Sequence, residues 1–236
     1  MRVEARTVGS IAHIIQRGTR GMNIVRDEAD RLKFARGLYV LNDAYQDPHW
    51  FDETRQLPLY ERPAYWPDRK PLINLLAWTL LDNHFHLLIE EKEEGGTSKF
   101  MQRLCGSMTM SYNSKYLEKG SLFQGGYRSR TVSEDEHYLY LPFYVLVKNT
   151  FELYPGGLRA ARENFRGAWD WALGYQYSSF GRTFKREATP ELFAPHEIIE
   201  NYFEDKAKCE QNSKDLLEYH HDIRDASYAA VALEPW

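Results

Sequence analysis

The sequence predicts an α+β fold, a ferredoxin-like or RRM-like sandwich in which one antiparallel sheet carries helices on a face. Three observations predict it. Segments of strand and helix character follow one another as strand, helix, two strands, helix, short strand, helix. The two middle strands are joined only by a short polar connection, which makes them antiparallel neighbours. The 236 residues are 43% hydrophobic and 27% charged, enough apolar material for one large core.

The first strand is Ser10–Arg17, "SIAHIIQR", β-branched and free of breakers, with turn material, "GTRG", after it. "VRDEADRLKFARGLYVLND" then has acids at its start and Ala29, Leu32, Phe34 and Leu38 at helical spacing. Residues 44–70 hold four of the ten prolines and many aromatics without a period, which reads as an irregular surface insertion. Its rings are suited either to stacking on bases or to anchoring a long loop. "PLINLLAWTLLDNHFHLLIEE" divides into two strands around "LLDN". The next helix is capped by Thr97 or Ser98, repeats Phe100, Leu104, Met108 and Tyr112 every four residues, and stops at Gly120. "SLFQGGYRSRTV" is a short strand or loop, and a largely apolar helix starts at Ser133 and runs through Pro142. After "YPGG" a Trp- and Tyr-rich linker leads to an acidic, helical tail. This divides the chain into a domain over 1–158 and an extension over 159–236.

Charge is unevenly spread. From Glu187 to Trp236 there are twelve Asp or Glu and four Lys or Arg, a balance of −8, so the body, 26 basic against 22 acidic residues, carries +4. A polyanionic partner for the body is permitted. No apolar run approaches the ~20 residues of a membrane span and the start lacks a signal-peptide core, so a cytoplasmic protein with no membrane partner is expected. Cys105 and Cys209 are far apart and fit neither a disulfide framework nor a zinc-ligand spacing.

His84 and His86 lie one residue apart in an apolar strand. Strand period places both on one face and Phe85, Leu87 and Ile89 on the other. Two imidazoles so placed can share a divalent cation if another element supplies a third ligand. They can also be a satisfied core pair, and HxH alone does not choose.

The surrounding segments add to this. "LLDNHFHLLIEE" resembles the histidine-hydrophobe-histidine strand of the HUH single-tyrosine transposases, the group that includes the REP-associated tyrosine transposases. "HIIQRGTRGMNIVRDEADRLKF", "SKFMQRL", "SYNSKYLEKGSLFQGGYRSRTVSEDEHYLYL" and "VLVKNTFEL" are similar to that family and follow in its order, over roughly Ser10 to Leu158. The resemblance implies Mg²⁺ or Mn²⁺ held by His84, His86 and Asn149, and a tyrosine that attacks a phosphodiester of single-stranded DNA next to a hairpin. It implies a 5′-phosphotyrosine link that a 3′-hydroxyl later reverses. A homodimer is an open expectation.

The family spaces its tyrosine and amide ligand as Tyr-x-x-x-Asn or Tyr-x-x-x-Gln. Here the aligned position before Asn149 is Val145, and Tyr144 stands five residues away, about 140° off on an α-helical wheel. A one-residue bulge near Pro142 would bring Tyr144 toward the face of Asn149, so Tyr144 is the candidate nucleophile, with Tyr140 behind it. Tyr138, Tyr140 and Tyr144 also read as core or groove residues. Asp82, where many relatives carry Pro, is either a partner to an imidazole or a solvated turn residue.

Candidate DNA contacts are Arg17 and Arg20 after the first strand, and Gln124, Tyr127, Arg128 and Arg130 in the Gly- and Arg-rich stretch. Lys115, Lys119 and Lys148 read as solvated helix faces. Two other functions stand beside the transposase-like nuclease: a DNA-binding protein on the same fold without covalent chemistry, favoured by Val145, and an unrelated HxH hydrolase.

Overall fold

In the computed structural model, which describes residues 7–132, 140–187 and 194–222, β1 (Ile11–Arg17), β2 (Ile73–Leu80), β3 (His84–Glu91) and β4 (Arg128–Thr131) form one sheet in the order β2-β3-β1-β4, every neighbour antiparallel. With α1 (Glu28–Val40) between β1 and β2 and α3 (Gly96–Tyr116) between β3 and β4, this is the expected β-α-β-β-α-β sandwich. The tight connection Leu81–Asn83 closes with Leu81 N–H donating to His84 O at 2.8 Å.

Alternation sorts each strand between two cores. Ala12, Ile14, Phe85, Leu87 and Ile89 face α1 and α3 and pack on Phe34, Leu38, Phe100, Leu104 and Met108. Gly37 permits the close approach of these two helices, because a Cβ there would lie 3.1 Å from Leu104 Cδ1. The α3 stripe is buried as its four-residue repeat requires, whereas in α1 Leu32 is 42% exposed and the buried face runs instead through Phe34, Ala35 and Leu38. The α3 start departs from expectation. Its N-cap is Gly95, at φ 73°, and the Glu91 carboxylate takes the Thr97 N–H and hydroxyl, so β3 itself caps the following helix. The helix stops at Leu117, left-handed at φ 56°, three residues before Gly120.

The insertion contains a short helix, α2 (Trp50–Thr54), and buries Trp50, Tyr60 and Trp66 in the first core. Arg36 binds its carbonyls at Leu57 and Pro58. Those rings anchor the loop to the body, the second of the two readings.

The opposite sheet face is also covered. Ile11, Ala77 and Leu88 pack on α4, the helix over 140–151, and through it on Trp169, Phe180 and Ile198 of the C-terminal helices. Those helices are α5 (Gly157–Glu163), α6 (Phe165–Gly174), α7 (Phe180–Lys185), α8 (Glu197–Tyr202) and α9 (Lys206–Asp222). The Trp- and Tyr-rich stretch is therefore folded. Its residues at 177–179 also join the sheet: Leu80 N–H donates to Tyr177 O and Ser179 N–H to Trp78 O, each at 2.9 Å. The helix start at Ser133, and Tyr138, lie outside the described residues. Among the described residues no helix is long and apolar enough to cross a membrane.

Candidate active site

The strand register places the histidines in one patch. On the face beneath α4, Thr79 of β2 pairs with His86 of β3, His86 with Ile15 of β1, and Ile15 with Arg128 of β4. One row away Arg17 stands opposite His84, and one row the other way His13 lies between Leu88 and Arg130. Directly opposed residues share a face, so three imidazoles sit at the centre of the sheet with arginines toward its β4 edge. His13, His84 and His86 are all buried, at 3% exposure or less.

Their hydrogen bonds assign roles. His84 Nδ1 lies 2.6 Å from Asn83 Oδ1, an atom that only accepts, so Nδ1 donates in that bond. His86 Nδ1 lies 2.8 Å from His13 Nε2, the rings stacked at 5.1 Å. When His86 donates in that bond, Nε2 is the ring nitrogen that could act as a ligand. His13 was missed in the sequence, although the alternation that placed His84 and His86 also puts His13, Ile15 and Arg17 on one side of β1. Asp82 is a half-exposed turn residue that pairs with Arg31 at 2.5 Å, and Asn83 is the residue bonded to His84.

The tyrosine helix contains the anticipated irregularity. Phe143–Lys148 is π-helical, and Asn149 N–H donates to Tyr144 O, five residues back. A ladder that closes over five residues brings positions five apart onto one face, so Tyr144 and Asn149 align despite their spacing. Tyr144 is 1% exposed and meets both His86, at 5.6 Å and 79°, and His13, at 5.7 Å and 75°, edge to face. Tyr140 packs behind it at 5.7 Å. Val145 is wholly buried in the second core.

Lys148 departs from the expected solvated face: it is 3% exposed, as α4 is buried along its whole length between the sheet and the C-terminal helices. Its Nζ lies 3.5 Å from Tyr144 Oη, 3.3 Å from Asn149 Oδ1 and 4.6 Å from the Tyr144 ring centroid, and it is ion-paired to Glu152. Lys115 also has partners, binding Asp27 and Asp30 at 2.6 and 2.7 Å. Lys119 is exposed.

Among the described residues no three His, Cys, Asp or Glu side chains gather to hold an ion. The residues expected to hold an ion are His84, His86 and Asn149. The donor types, two imidazoles and an amide oxygen that accepts from Lys148, are of the kind that ligates a divalent ion. Asn149 Nδ2 is buried without a hydrogen-bond partner among the described residues.

Of the nucleic-acid candidates, Arg17, Arg128 and Arg130 share the histidine face by strand register. Arg20 is exposed in the Thr19–Gly21 turn, held in the left-handed region at φ 55°. Gln124 is exposed, its N–H bound to Arg17 O at 2.9 Å. Tyr127 is half-buried against the first core, with its hydroxyl 3.1 Å from Ser98 Oγ. Both cysteines are unbridged, and burial pushes each thiol up to about 12.

The family model described as "Transposase IS200 like" matches residues 68–145, a span holding His84, His86, Arg128, Arg130 and Tyr144. Among solved structures, the REP-associated tyrosine transposase bound to a REP hairpin is 13% identical, with 83% of this chain and 91% of that chain covered and a TM-score of 0.45. A Deinococcus radiodurans R1 protein described as a transposase is 19% identical, with 61% and 95% covered and a TM-score of 0.33. No curated protein matches.

Proposed function

We propose, from the match of residues 68–145 to the IS200-like transposase family model, that this chain binds single-stranded DNA carrying a hairpin and nicks it by forming a covalent link to Tyr144. The observation that supports the covalent step is the π turn, which sets Tyr144 and Asn149 on one face beside His86. A divalent cation, Mg²⁺ or Mn²⁺, bound by His84, His86 and Asn149 would polarise the scissile phosphate. The Tyr144 oxygen gives up its proton and bonds to phosphorus, the P–O3′ bond breaks, and the departing 3′-oxygen takes up a proton from solvent to leave as a hydroxyl, so the protons balance. Lys148 holds positive charge beside the same phenolic oxygen, which must carry negative charge when the link is reversed. Arg17, Arg128 and Arg130 offer phosphate contacts along the approach from β4, with Arg20, Gln124 and Tyr127 around it.

The test is a denaturing gel of labelled hairpin-bearing single strands incubated with the protein and Mn²⁺. A covalent adduct that disappears in Tyr144→Phe is expected. An adduct that survives Tyr144→Phe moves the nucleophile elsewhere. Binding without any adduct, across many hairpins, supports the second reading, a DNA-binding protein that has given up covalent chemistry. The 1% exposure of Tyr144 favours that reading, since a nucleophile must reach its phosphate.

A further inference from the structure

The π turn leaves a backbone group to be satisfied. In a regular helix Asn149 N–H would bond Val145 O; here it bonds Tyr144 O, and the Val145 carbonyl lies inside the second core. Thr79 Oγ1 donates to that carbonyl at 2.7 Å. Thr79 Oγ1 also lies 2.8 Å from Ser178 Oγ, and Ser178 Oγ accepts from Phe180 N–H at 3.2 Å. The carbonyl can only accept, so the single Thr79 proton is committed to it and Ser178 must donate to Thr79. Every direction in the relay is thereby settled: Phe180 N–H to Ser178, Ser178 to Thr79, Thr79 to Val145 O. Thr79 and Ser178 are 0% and 4% exposed, so no solvent replaces them.

We propose that Thr79, seconded by Ser178 of the C-terminal extension, is the positioning residue that holds α4 in its π register. The chain has one residue more between Tyr144 and Asn149 than the spacing of four requires. That extra residue must be absorbed as a bulge, and the bulge needs a partner for the carbonyl it strands. β2 supplies it, and the segment at 177–179, paired to β2 on both sides of Thr79, keeps that hydroxyl aimed. The extension thus takes part in aligning Tyr144 with the histidines. This inference rests on the nuclease reading for its consequence in catalysis, but not for its structural content.

The experiment is a double-mutant cycle in the full chain. Thr79→Val keeps the shape and removes the hydroxyl, Thr79→Ser keeps the hydroxyl, and deletion of Val147 restores a spacing of four between Tyr144 and Asn149. Thr79→Val is expected to lower the Tm and reduce adduct yield about tenfold or more, with hairpin affinity unchanged; Thr79→Ser stays close to wild type. In the Val147-deleted chain Thr79→Val costs little, because no carbonyl is stranded there. Equal loss of Tm in both backgrounds, or adduct and hairpin affinity falling together, overturns the proposal. Should wild type form no adduct, the nuclease reading fails while the Tm cycle still decides this one. Should the deletion not fold, amide exchange at Asn149 decides it: faster in Thr79→Val than in Thr79→Ser supports the π lock, and equal rates refute it.

Discussion

The strand pair β1 and β3 and the helix α4 bring groups to the same patch under different rules. On β1 and β3, His13, His84 and His86 are placed by a period of two and an uninterrupted register. One added residue there would turn every following side chain to the opposite core. On α4 an added residue is absorbed within one turn, at the cost of one stranded carbonyl. The sheet therefore fixes where the imidazoles lie, and the helix can tolerate an added residue before Asn149 if a neighbour repairs the backbone.

The largest expected effect breaks the strand half of that comparison. His86→Ala should abolish Mn²⁺ binding measured by calorimetry, while His13→Phe, which keeps a ring but removes the partner of His86 Nδ1, should weaken it about 10–100-fold. Equal affinity in His13→Phe and wild type would mean that His13 only fills space. Next comes the basic edge. Arg128→Ala with Arg130→Ala should lower hairpin affinity and flatten its salt dependence by about 0.7 for each phosphate no longer neutralised, read from binding isotherms at several salt concentrations. An unchanged slope would remove β4 from the DNA path.

The smallest effect lies away from the site and serves as a control. Asp27 caps α1 and accepts from Lys115, and these bonds, the Lys115 one foremost, hold its carboxyl below the ordinary 3.8. A lowered native value means the stabilisation is present above pH 3.8 and is lost as pH falls through the native value. Asp27→Asn should therefore cost at most about 1 kcal/mol at neutral pH, and the gap from wild type in urea midpoints should close in acid. Added salt should shrink it as well.

The parts of the fold legible in the sequence are those governed by local period. The strand faces, the α3 stripe and the shared side of His84 and His86 all follow from spacings of two or four. What was not legible depends on partners distant in the chain. Glu91 reaches forward to cap α3, His13 meets His86 across 73 residues, and Ser178 meets Thr79 across 99. Lys148 reads as a surface lysine; it is buried because helices from later in the chain cover the side of α4 that the sheet does not. Leu32 shows the reverse, an apolar residue at apparent helical spacing left in solvent.

The pairing of 177–179 with β2 also bears on self-association. An outer strand with open N–H and C=O groups invites a second molecule to extend the sheet. Here Trp78 and Leu80 are already engaged by that segment, and Leu75 O accepts from Ala194 N–H at 3.3 Å. β4, at the other border, is four residues long and carries two arginines. Both borders discourage growth into aggregates, and a second copy of this chain would have to dock through some surface other than the β2 edge.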